Sequence, residues 1–113
     1  MNFIQLAKPF HESPWCPAVD IYHCPEGWLV KFDLAGVQPE EVEVIIRGRC
    51  LSVSGVRRDW VTETDYRCYS MEITYNRFHR SVELPAELDT VQVQTDYHHG
   101  MLLVRLLTGM KSP

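Results

Sequence analysis

The chain has 113 residues, 45% of them hydrophobic and 23% charged, with a formal net charge of −4. That length suits one domain with a core of its own, and no run of eighteen apolar residues argues for a membrane-spanning helix. Eleven Lys and Arg are scattered, Arg57-Arg58 being the only adjacent basic pair, which argues against a surface that tracks nucleic-acid phosphates.

In chain order, residues 1–17 hold Pro9, Pro14 and Pro17 beside apolar Phe3, Ile4, Leu6, Phe10 and Trp15. Proline fixes φ and removes donors, so the segment reads as a loose arm resting on something. MNFIQLAKPF has no basic leader followed by an apolar stretch, and a cytoplasmic location is the expectation. From residue 18 the hydrophobic period is two. AVDIY (18–22) reads as a short strand. EGWLVKFDL (26–34) places Trp28, Val30, Phe32 and Leu34 on one side and Lys31 and Asp33 on the other. Pro39 followed by Glu40 and Glu41 suits the start of a helical turn. VEVIIRG (42–48) and CLSVSGV (50–56) read as a hairpin with Leu51 and Val53 inward. YRCYSMEITY (66–75) reads as a strand after an irregular, charge-flanked loop at 57–67. RFHRSVELP (77–85) places Phe78, Val82 and Leu84 on one face, and VQVQTDY (91–97) alternates Val91, Val93 and Thr95 with polar residues. Seven or eight strands with frequent turns predict an all-β, antiparallel, immunoglobulin-like sandwich. The expected division is an arm at 1–17, the sandwich at 18–107 and a short tail at 108–113.

The last strand, within HHGMLLVRLL (98–107), is apolar on both faces: Met101, Leu103 and Leu107 point one way, and Leu102, Val104 and Leu106 the other. A strand at a solvated surface should be polar on one face. Two readings stay open. Either both faces are buried, one by the second sheet and one by the arm, or one face serves binding.

Little in the chain suggests reaction chemistry. Ser52, Ser54 and Ser81 lie outside any G-x-S-x-G motif, so no enzyme and no cofactor is expected. Cys16, Cys24, Cys50 and Cys68 include no C-x-x-C pair. They are expected to be reduced and mostly buried. A metal site from Cys16, His23 and Cys24 with His98 and His99 is disfavoured by its wide spacing.

Taken in order, PAVDIY, WLVKFDLAGVQPEEVEV, LSVSG, YNRFHRSVELP and DYHHGMLLVRL resemble the α-crystallin domain of the small heat-shock proteins, over roughly residues 17–107. FDLAGVQPEEVEV is similar to the family's D-L-P-G-v-x-x-e-d-i-x-V: Asp33, Leu34, Gly36 and Val37 match, and Ala35 replaces the usual proline. YNRFHRSVELP is similar to y-G-x-F-x-R-x-f-x-L-P through Phe78, Arg80, Leu84 and Pro85, with Asn76 where glycine is common. TDYHHGMLLVRL is similar to A-x-x-x-N-G-V-L-x-V-x-L through Gly100, Leu102, Val104 and Leu106; Thr95, His99 and Met101 depart.

The resemblance implies an ATP-independent holdase that binds partly unfolded proteins and limits their aggregation. It implies a homodimer formed by exchanging a strand from the long loop, here 57–67 with Trp60, Val61 and Thr62. It also implies a hydrophobic groove bordered by the edge of the last strand and shared with an earlier strand of the same sheet, which accepts an Ile-x-Ile motif from a neighbour's tail. The candidate groove residues are Val44, Ile46, Leu102, Val104 and Leu106, and the arm adds client contact. A salt bridge is expected at Arg80. No Ile-x-Ile pair follows Leu107, so a dimer or small oligomer is expected, its free groove open to tails of related chaperones. The alternative is an adaptor or co-chaperone sandwich that binds one defined protein partner without general holdase activity.

Overall fold

Residues 14–61 and 63–108 are described by a computed structural model. Seven strands account for the alternating segments: β1 (Val19–Cys24), β2 (Gly27–Asp33), β3 (Glu43–Arg47), β4 (Cys50–Arg57), β5 (Asn76–Glu83), β6 (Gln92–His98) and β7 (Met101–Leu107). They form two antiparallel sheets, of order β1-β2-β7-β6 and β3-β4-β5. Pro39–Glu41 is a single 3-10 turn with proline at its start.

The core lies between the sheets. Val30 and Phe32 of one sheet, with Leu34 just past the end of β2, meet Leu51, Val53, Phe78 and Val82 of the other, and all are buried. The predicted inward sets of β2, β4 and β5 are therefore observed. Two turn positions explain departures from the family pattern. Asn76 has φ 74° and His99 has φ 52°, the latter followed by Gly100 at φ 80°. Asn and His are among the non-glycine residues that most readily enter this left-handed region, and two successive positive φ values suit the tight β6–β7 hairpin.

Three sequence expectations are corrected. The segment 66–75 is not a strand: the described residues between β4 and β5 form only turns and bends. Its alternation is real, but no strand edge among the described residues pairs with it. The cysteines are free but not buried: Cys16, Cys50 and Cys68 are exposed, and Cys24 is half-buried. At Arg80, among the described residues, the partner is a carbonyl and not a carboxylate; Nη1 donates to the Pro17 oxygen at 3.1 Å. Of the arm, Trp15 belongs to the described residues. It forms a parallel bridge to Phe78 along β5, and the two rings lie 5.4 Å apart. Phe3, Ile4, Leu6 and Phe10 fall outside the described residues.

β7 is an interior strand, with β2 on one side and β6 on the other. Its inward face, Leu102, Val104 and Leu106, is core. Its outward residues Met101, Leu103 and Leu107 are only half-buried. Leu103 sits in register between Lys31 and Asp96, so long polar neighbours flank the outer apolar stripe.

Candidate functional site

Three strands cannot cover four. Neighbouring strands lie about 5 Å apart, so inward-facing residues at the margins of the larger sheet are left partly bare. Ile21 on β1 and Val93 on β6 both face the sandwich interior by register, yet each remains 40% exposed. At the β6 margin this produces an open trench of about 320 Å³. Pro39, Val42 and Val44 line one lip and Thr95, Asp96 and Tyr97 the other, and Leu102 supplies apolar floor.

The lips are fixed from behind. The Tyr97 hydroxyl donates to the Leu34 carbonyl at 2.8 Å, which holds the ring across one end of the trench. Leu34 N–H in turn donates to the Gly100 oxygen at 2.9 Å. On the opposite lip, the 3-10 turn feeds directly into β3, so Pro39 and Val42 sit beside Val44. The arrangement offers apolar side chains on the β3 lip and floor, polar groups of Thr95 and Asp96 on the β6 lip, and two strand edges, so it can seat a partner's apolar groups beside hydrogen-bonding ones.

This geometry revises the predicted groove. Val44 and Leu102 line the trench. Ile46 is half-buried against the core but is not among the lining residues, while Val104 and Leu106 are fully enclosed between the sheets. The last strand has no free edge, and the lips come from edge strands of different sheets. Sequence reasoning missed Pro39, Val42, Thr95, Asp96 and Tyr97. The alternation Val91, Val93, Thr95 was visible, but an alternating strand half-covered by its sandwich reads the same as one fully covered.

A second bare surface lies on the β4–β5 loop. Trp60 and Val61 are more than half exposed, and Thr62 falls outside the described residues. Trp60 is engaged within its own chain, its indole N–H donating to the Gly36 oxygen at 3.1 Å. Further along, Tyr69 is fully exposed, Met71 58% and Ile73 61%. These three alternate with Ser70 and Glu72, so in an extended conformation they would share one face. β1 is the edge of the larger sheet, and no strand pairs with the outer side of Val19–Cys24 among the described residues.

The model of the Hsp20/alpha crystallin family matches residues 20–111. The chain is 33% identical over 90 residues to spore protein SP21 of Stigmatella aurantiaca, covering 80% of this chain and 53% of that one. It is 36% identical over 85 residues to the 18 kDa heat shock protein of Streptomyces albus G, covering 74% and 59%. The chain thus spans just over half the length of these relatives. Among solved structures, heat shock protein 16.0 from Schizosaccharomyces pombe is similar with a TM-score of 0.75 at 25% identity, over 90% of this chain and 93% of that one. The hspA structure from Xanthomonas axonopodis gives 0.71 at 27% identity, over 86% and 97%.

Proposed function

The chain belongs to the Hsp20/alpha crystallin family, and from that premise we propose that it is an ATP-independent holdase of the cytoplasm, working as a dimer. The trench between β3 and β6 carries this reading, because it sets the apolar side chains of Pro39, Val42, Val44 and Leu102 against the more polar lip of Thr95, Asp96 and Tyr97 and is left open by the mismatch of the two sheets. Its occupant is an extended apolar segment, either a stretch of a partly unfolded protein or the tail of a related chaperone. Seating one Leu or Ile side chain contributes about 1.5–3 kcal/mol. Two anchors give roughly 3–6 kcal/mol before association and ordering costs are subtracted. Single sites are therefore weak, and repetition over a dimer strengthens them.

Dimerisation is assigned to the β4–β5 loop meeting the partner's β1 edge by strand addition. Within the loop, the exchanging segment is Tyr69–Ile73 rather than Trp60–Thr62, since Trp60 is held on its own Gly36 while Tyr69, Met71 and Ile73 stand bare.

Light scattering from a heat-labile client tests the reading. Wild-type protein is expected to suppress aggregation at near-stoichiometric ratios. Thr95→Trp, which fills the trench from an exposed lip position, is expected to suppress it less with an unchanged melting temperature. No suppression by wild type would favour an adaptor for one defined partner. Equal suppression by both proteins would remove the trench from the mechanism.

A further inference from the structure

Arg57, the last residue of β4, makes more contacts across chain segments than its position in a strand requires. Its Nε and Nη2 both donate to the Thr74 carbonyl, at 3.0 and 2.8 Å, and Nη1 donates to the Ala35 carbonyl at 3.0 Å. The guanidinium carbon lies 4.2 Å from the centroid of the Trp15 ring. Trp15 is itself fixed to β5: its N–H donates to the Arg77 oxygen, its oxygen accepts from His79 N–H, and its indole donates to the Asn76 oxygen at 3.3 Å. Arg57 and Asn76 form the terminal pair of the β4–β5 ladder. One planar cation thus joins the outgoing foot of the loop to its returning foot at Thr74, and both to the Ala35–Gly36 turn and the Trp15 platform. Trp60 reaches the same turn through the Gly36 oxygen.

We infer that Arg57 is the positioning residue that aims the β4–β5 loop for strand exchange between the two subunits. This rests on the loop-exchange reading given above. A loop whose feet are free to splay samples many directions, and the exchanging segment then meets the partner's edge at a lower effective concentration. Binding the Thr74 and Ala35 carbonyls with one rigid fork, stacked on an aromatic face, removes those directions before the partner arrives. Lysine cannot substitute. An ammonium is a point donor on a flexible stem and lacks the planar fork that spans both carbonyls while lying flat on Trp15.

The test is sedimentation equilibrium on the full chain for wild type, Arg57→Lys and Arg57→Ala, with Leu106→Ala as a control that lowers stability from the core without touching the loop. Urea midpoints are measured alongside. Both Arg57 variants are expected to weaken the dimer fivefold or more, while Leu106→Ala leaves the dissociation constant of the folded protein unchanged. Hydrogen exchange at amides 69–73 is expected to speed up in Arg57→Lys at concentrations where wild type is dimeric. A dimeric wild type with Arg57→Lys less than fivefold weaker overturns the inference and leaves the exchange reading standing. A wild type that stays monomeric overturns the exchange reading itself. Should Arg57→Ala not fold, Arg57→Lys alone decides.

Discussion

Ile73 separates stability of the single chain from stability of the dimer. It is 61% exposed, so Ile73→Ser should alter the isolated fold by no more than about 0.5 kcal/mol, the usual range for surface substitutions. The dimer should respond differently. Burying a whole Ile side chain is worth about 1.5–3 kcal/mol, and sealing the exposed fraction therefore contributes about 1–2 kcal/mol. In a two-fold dimer both copies of the residue are buried. The loss is about 2–4 kcal/mol, which weakens association roughly thirty- to several-hundred-fold. Sedimentation velocity over a concentration series reads this directly, with the urea midpoint as the stability control. A dissociation constant within threefold of wild type would show that Ile73 stays in solvent in the assembly. A large fall in the urea midpoint at a concentration where both proteins are monomeric would show instead that the side chain supports the single chain.

The core should respond in the opposite way. Leu106→Ala deletes a fully enclosed side chain and should cost about 2–5 kcal/mol by urea unfolding; a loss under about 1 kcal/mol would place Leu106 at a surface. At Asn76, with φ 74°, Asn76→Gly should be close to neutral. Asn76→Val should cost at least about 1–2 kcal/mol in the same assay, because a β-branched side chain is strained in that region. Equal midpoints for the two variants would mean that the backbone there is not left-handed.

Strand identity was legible in the sequence because a half-buried strand imposes period two, and the inward residues of β2, β4 and β5 follow it. The 3-10 turn was legible from Pro39 and its acidic followers. Strand neighbours were not legible. The apolar run of β7 is equally compatible with an edge beside a groove and with an interior strand, and pairing with both β2 and β6 makes it the latter. That single fact moves Val104 and Leu106 from the groove to the core. The alternation at Tyr69–Ile73 was legible as strand-like, but a strand also needs an edge to pair with, which residue pattern cannot supply. The carbonyl of Pro17 as partner of Arg80 lies 63 residues away and is visible only once the arm is placed along the sheets.

The proposed role depends on a partly apolar trench with lips from two sheets, and methyl NMR with an Ile-x-Ile peptide tests it most directly. Titration is expected to shift the methyl signals of Val42, Val44 and Leu102 and the ring signals of Tyr97, with Val104 and Leu106 little affected. Shifts confined to Met71 and Ile73, or no saturable shift at any trench residue, would contradict it.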